Sequence, residues 1–162
     1  MRVAIVAICA ALSACGGSID LGGGSCTVTL SGAQTGTSSC TAPATAVYAS
    51  SNARSGISLS GTSSGQPSIA VSWAGNVHTG TFTQTDAGAQ AGITVTSGSS
   101  YWAVSAGGGA NTGTYALQIT SATSLGTVSG GQAWSVHGTL TATAPAVPGS
   151  GASGTVNVQV TF

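Results

Sequence analysis

Over residues 153–162, Val156, Val158, Val160 and Phe162 alternate one for one with Thr155, Asn157, Gln159 and Thr161. A period of two sorts side chains onto the two faces of an extended strand, and a helix cannot sort them that way. The pattern recurs in 113–121, where Tyr115, Leu117 and Ile119 alternate with Ala116, Gln118 and Thr120. In 132–144, Trp134, Val136, Leu140 and Ala142 alternate with Ser135, His137, Thr139 and Thr141. Shorter runs repeat it: Ile57 and Leu59; Ile69, Val71 and Trp73; Ile93 and Val95. Strands are also expected near 27–31, 45–50, 78–84 and 100–105. No segment of ten or more residues keeps apolar side chains at helical spacing, and Gly or Pro interrupts most windows. About ten short strands joined by Gly-, Ser- and Asn-rich turns predict one all-β domain over 26–162, an antiparallel sandwich or a barrel-like closure.

Composition decides whether such strands have a core to bury. Hydrophobic residues make up 41% of the 162, which is ample for one core and excludes the low-hydrophobicity signature of disorder. Charged residues make up only 2%, where a quarter is usual. With two Lys+Arg residues and a formal net charge of zero, the chain cannot neutralise a phosphate backbone, so nucleic acid is excluded as a partner class.

The N-terminus reads as an address. Met1-Arg2 is a short positive start, and Val3 to Leu12 is a ten-residue apolar run. A spanning helix needs about 20 residues, so this run fits the apolar region of a signal peptide instead. It ends in Leu12-Ser13-Ala14-Cys15, which resembles the lipobox of bacterial lipoproteins. The resemblance implies that residues 1–14 are removed, that the Cys15 thiol carries diacylglycerol, and that the new amino terminus is acylated, commonly with palmitate. Several acyl chains together anchor a protein stably, where one does not. An ordinary signal peptide, with Cys15 incidental, is the alternative. In the Gram-negative sorting rule, Asp directly after the Cys retains a lipoprotein in the inner membrane. Gly16 stands there, which implies the outer membrane. Residues 15–25 contain five Gly after the Cys and no packing pattern, as expected of a flexible tether. With Cys9 in the signal and Cys15 in the anchor, Cys26 and Cys40 remain as a pair. An exported chain meets an oxidising compartment, so they are expected to form a disulfide.

The segments Gly80-Thr81-Phe82-Thr83, Gly113-Thr114-Tyr115-Ala116-Leu117 and His137-Gly138-Thr139-Leu140-Thr141-Ala142, with the closing strand, are similar to the β-domains of small Gly/Thr-rich bacterial lipoproteins. That resemblance implies fold and compartment and carries no catalytic residue.

Candidate sites are few. Gly61-Thr62-Ser63-Ser64-Gly65 matches the G-x-S-x-G nucleophile elbow, but that motif needs a helix after it, and Gly and Ser are frequent enough here for a chance match. Asp20, Asp86, His78 and His137 are the only acid–base candidates after the signal, and Asp20 lies in the tether. His78 alternates in phase with Phe82 and should point partly inward, whereas His137 should face solvent. Asp86 reads as a turn residue. No catalytic residue, metal site or cofactor is expected. Thr-x-Thr recurs at Thr27/Thr29, Thr79/Thr81/Thr83, Thr94/Thr96 and Thr139/Thr141/Thr143. Such ladders would suit a flat surface for ice or a polymer; the plainer reading is a solvated strand face, since no fixed period spaces them. Trp73 and Trp134 alternate with apolar neighbours and belong in the core, while Trp102 with Tyr101 is the expected exposed pair. The function expected is a non-catalytic, lipid-anchored envelope module that binds an envelope polymer or protein or serves a structural role. A lipid-anchored serine hydrolase is the alternative. A transmembrane β-barrel, whose strands alternate in the same way and often end in Phe, is a third.

Overall fold

Burial follows the alternation residue by residue. In the computed structural model, which describes residues 25–40, 44–60, 66–84, 92–105 and 113–162, Val156, Val158, Val160 and Phe162 are buried and their intervening neighbours exposed. Cys15, Asp20, Ser63 and Asp86 lie outside the described residues. Eleven strands form: β1 (Cys26–Gly32), β2 (Gly36–Cys40), β3 (Ala44–Ala49), β4 (Arg54–Ser60), β5 (Ser68–Ala74), β6 (Gly80–Thr83), β7 (Gly92–Ser97), β8 (Ser100–Ser105), β9 (Thr114–Val128), β10 (Gly131–Pro145) and β11 (Thr155–Thr161). The described residues contain no helix, so the domain is all-β as the alternation predicts.

All pairings are antiparallel, in the order β2-β1-β11-β10-β3-β4-β5-β7-β8. β9 runs along the other edge of β10, and β6 pairs with β9. β10 belongs to both halves. Its first part, Gly131–Val136, pairs with β3, and its last part, Thr139–Pro145, pairs with β11. The handover falls at Gly138, whose N–H donates to Phe162 O (2.7 Å) and whose carbonyl accepts from Phe162 N–H (3.0 Å). A Cβ there would collide with the Gln118 carbonyl, which is why the position is Gly.

β9 follows the bend by two bulges. Ser121 and Ile119 face His137 and Gly138, which leaves Thr120 unmatched; Ser124 and Gly126 face Trp134 and Ala133, which leaves Leu125 unmatched. Bulges bend a strand and increase its twist, so one long hairpin can turn from one layer into the next. The sequence predicts a strand ending near 121; the bulges carry it to Val128 by shifting the phase of its alternation.

The sheet folds over a single core. Val28, Leu30, Leu117, Leu140 and the β11 valines come from one layer, and Ile57, Leu59, Ile69, Val71, Ile93 and Val95 from the other. It does not close into a barrel, and the arrangement is sandwich-like. Near its start, β8 meets the segment after β10 through the Trp102–Ala146 bridge, the Val147 N–H donating to Tyr101 O (3.0 Å) and the Ser150 hydroxyl donating to the same oxygen (2.9 Å).

Cys26 and Cys40 are disulfide-bonded and sit directly opposite each other in the β1–β2 register, with Cα atoms 4.9 Å apart. The bond fastens β2, a strand absent from the sequence prediction because GTSSC has no apolar alternation to reveal it. Three further expectations need correction. Trp102 is 1% exposed, not a surface residue: its neighbour Ala103 is also buried, and its indole N–H donates to Ser153 O (3.3 Å). Trp134 packs against the core but remains half-buried. His78 is exposed, with an edge-on contact to the Phe82 ring at 5.0 Å.

Candidate binding groove

The polar residues that alternate outward on β1, β11, β10, β9 and β6 meet across the sheet. Register places Ser39, Thr27, Thr161, Thr139, Gln118 and Thr81 in one row. A second row is Thr37, Thr29, Gln159, Thr141, Ala116 and Thr83. A third is Ser31, Asn157, Thr143 and Thr114. Three of the Thr-x-Thr segments converge here; Thr94 and Thr96 lie on β7 in the other layer. Thr suits this position doubly, because its β-branched carbon favours the pleated backbone and its hydroxyl stays hydrated.

The second and third rows floor an open groove of about 540 Å³ that crosses five strands, from Thr29 and Ser31 on β1 to Thr83 of β6 and the adjoining Gln84. Among the described residues its lining contains no Asp, Glu, Lys, Arg or His. It offers hydroxyls, which donate and accept, and carboxamides, which present one oxygen acceptor and two N–H donors. Two carboxamides of the lining are fixed. Asn157 Oδ1 accepts from the Thr143 hydroxyl (3.1 Å), and Gln84 Oε1 accepts from the Tyr115 backbone N–H (3.1 Å). In each, the oxygen is engaged by the protein and the NH2 remains as a donor. Tyr115 is 3% exposed, so its ring presents no stacking platform.

The two described acid–base candidates lie elsewhere. His78 sits between β5 and β6 with Nδ1 3.0 Å from Asn76 O, and exposed His137 faces Ser121 across the β9–β10 pair. Neither lines the groove. Among the described residues no group of three His, Cys, Asp or Glu could hold a metal ion. No described helix is long and apolar enough to cross a membrane, which has no bearing on strands. The alternation already turned Asn157 and Gln159 outward; it could not say which strands would bring them beside Thr141 and Thr143. Gln84 carried no signal at all, because it lies just past a short strand. No protein-family model, curated protein or solved structure matches the chain.

Proposed function

We propose that the protein is a non-catalytic module of the bacterial cell envelope, lipid-anchored through Cys15, which holds a partner on the outward face of β1, β11, β10, β9 and β6. The observation that carries the reading is the uncharged groove lined by hydroxyls and fixed carboxamides. Such a lining binds by hydrogen bonding and offers no side chain suited to proton transfer near neutral pH. An outer face dominated by Thr, Asn, Gln and Ser is also the reverse of a barrel wall turned to lipid, which is apolar. The tether over 15–25 would let the groove face away from the membrane plane.

Two measurements test the two halves of this reading. Cys15→Ser should accumulate as an unprocessed precursor without lipid label; normal cleavage and lipidation would remove the anchor from the proposal. For the groove, Thr141→Cys adds a thiol to an exposed position, and Cys26 and Cys40 are already paired. A hydrophilic maleimide should label that thiol slowly in intact envelopes and rapidly in the purified protein. Equal labelling in both would mean that nothing occupies the face.

A further inference from the structure

We infer that the outer edge of β2 is a strand-acceptor site: an extended segment of a partner protein pairs with it and seats one mid-sized apolar side chain in a hollow between the layers. The site is separate from the groove and goes beyond the reading above. β2 stands at one end of the sheet order, and among the described residues it pairs with β1 alone. In an antiparallel ladder, alternate residues turn their N–H and C=O toward the neighbouring strand, and the residues between turn them away. The outer edge of Gly36–Cys40 therefore presents donors and acceptors at strand spacing, which an extended polypeptide backbone complements. Proteins usually blunt such an edge with Lys, Pro, a bulge or a covering segment. The opposite end of the sheet is covered in that way, where Val147 N–H and the Ser150 hydroxyl both donate to Tyr101 O of β8. β2 has none of these devices: GTSSC holds no Lys or Pro, and its register with β1 is unbroken.

Two further observations point to a built site. Cys40 is the one buried side chain of β2, so packing does little to hold the strand; the bond to buried Cys26 fixes it instead. An edge fixed in advance lowers the ordering cost that an incoming strand meets. Beside β2, between the layers, lies a hollow of about 190 Å³, lined by Leu30, Gln34 and Ser38 from the β1–β2 hairpin and by Gln66, Pro67 and Ser97 from the other layer. Ser38 stands opposite buried Val28 and so turns inward, which puts the hollow on the side to which every second residue of an added strand points. Leu30 and Pro67 give it apolar walls. A second copy pairing through its own β2 would bring only Gly36, Ser38 and the bonded Cys40 to that side, all too short to fill it. The occupant is therefore a different sequence, held by its backbone at the edge and selected by one side chain in the hollow.

The test uses the full chain, isotope-labelled and purified in detergent, titrated with the heptapeptide acetyl-Thr-Ser-Thr-Leu-Thr-Ser-Thr-amide and with its Val, Met, Phe and Gly versions at the central position. Amide shifts should concentrate in β2 and around the hollow, and hydrogen exchange should slow at the outward N–H groups of β2. The Gly version should bind about tenfold more weakly than the best apolar one. N-methylation of the three central residues keeps the side chains and removes the N–H groups of both peptide edges, so it should abolish binding. Gln66→Trp fills the hollow from an exposed position and should weaken binding about tenfold with an unchanged circular dichroism spectrum. No binding by any member of the series, equal binding of the N-methylated peptide, or undiminished binding by Gln66→Trp would overturn the site. Slow exchange at β2 without peptide, in a sample that sediments as a dimer, would give the edge to a second copy and overturn the partner. The envelope labelling of Thr141→Cys reads the groove alone, so failure of the edge and failure of the groove are told apart.

Discussion

The two outward faces of the domain draw on the same small polar residues and use them differently, and Arg54 on β4 is the one charged residue among the described strands. Across β1, β11 and the adjoining halves of β10 and β9, the outward positions are mostly Thr, Asn and Gln, with Ser31 and Ala116 among them, and most are exposed. Across β3, β4, β5, β7 and β8 there is no Asn or Gln, and outward positions such as Val47, Gly56, Ala70, Ser72 and Ala103 are short and half-buried or buried. Both faces are compatible with a soluble β-domain, so solvation alone does not require the carboxamides and hydroxyl rows of the first. The difference lies in the carboxamides and in the exposure of the hydroxyl rows, and the groove lies on the layer that has both.

The comparison can be broken at several points. The largest expected effect is on its inner side. Leu140→Ala removes a fully buried side chain and should destabilise by about 2–5 kcal/mol, while Thr141→Ala, its exposed neighbour, should stay within about 0.5 kcal/mol in chemical denaturation. If the two variants unfold alike, the assignment of faces is wrong. Next comes the edge of the polar layer. Opening the Cys26–Cys40 bond by the double Ser variant should cost roughly 3 kcal/mol for a loop of this size in the chain-entropy model. Hydrogen exchange should show the loss concentrated in β1 and β2, leaving β4 and β5 protected; uniform loss would mean that the layers do not fray separately.

Gly138→Ala should cost about 1–3 kcal/mol, because its methyl group meets the Gln118 carbonyl where β10 passes from one layer to the other. Thermal unfolding of this variant beside Gly130→Ala, where nothing lies within 4 Å but φ is +80°, separates collision from backbone strain. The smallest effect falls on the two faces themselves. Asn157→Ala and Ser58→Ala, one on each outer face and both exposed, should each change stability by less than about 0.5 kcal/mol. Only the first should alter labelling of the groove thiol in envelopes. A like response from both would erase the functional difference between the faces.

Much of this was legible in the chain. Period two gave the class, the inward residues of nearly every strand, the burial of Trp73 and the exposure of His137, because alternation is a local property of an extended backbone. Cysteine arithmetic, with the lipobox-like start, gave the Cys26–Cys40 pair. What failed did so where a distant contact overrides the local pattern. Trp102 was expected at the surface because Tyr101 and Trp102 follow Ser99-Ser100; it is buried because β8 meets Ala146 and Ser153 from the far end of the chain. β2 was missed because a covalent bond and the β1 ladder, rather than its own side chains, hold it.

The sequence by itself determined that the domain is all-β and which side chains of most strands face inward. These follow from residue spacing and composition, which need no knowledge of neighbours. Only the tertiary structure decided that β10 is shared between two layers, that two bulges in β9 make this possible, and that Asn157, Gln159, Thr141 and Gln84 line one groove. Strand order and register bring together residues more than seventy positions apart, and alternation is identical for every register that differs by two. The site is therefore a property of pairing, written in the chain only as a set of outward-facing polar residues with no order among them.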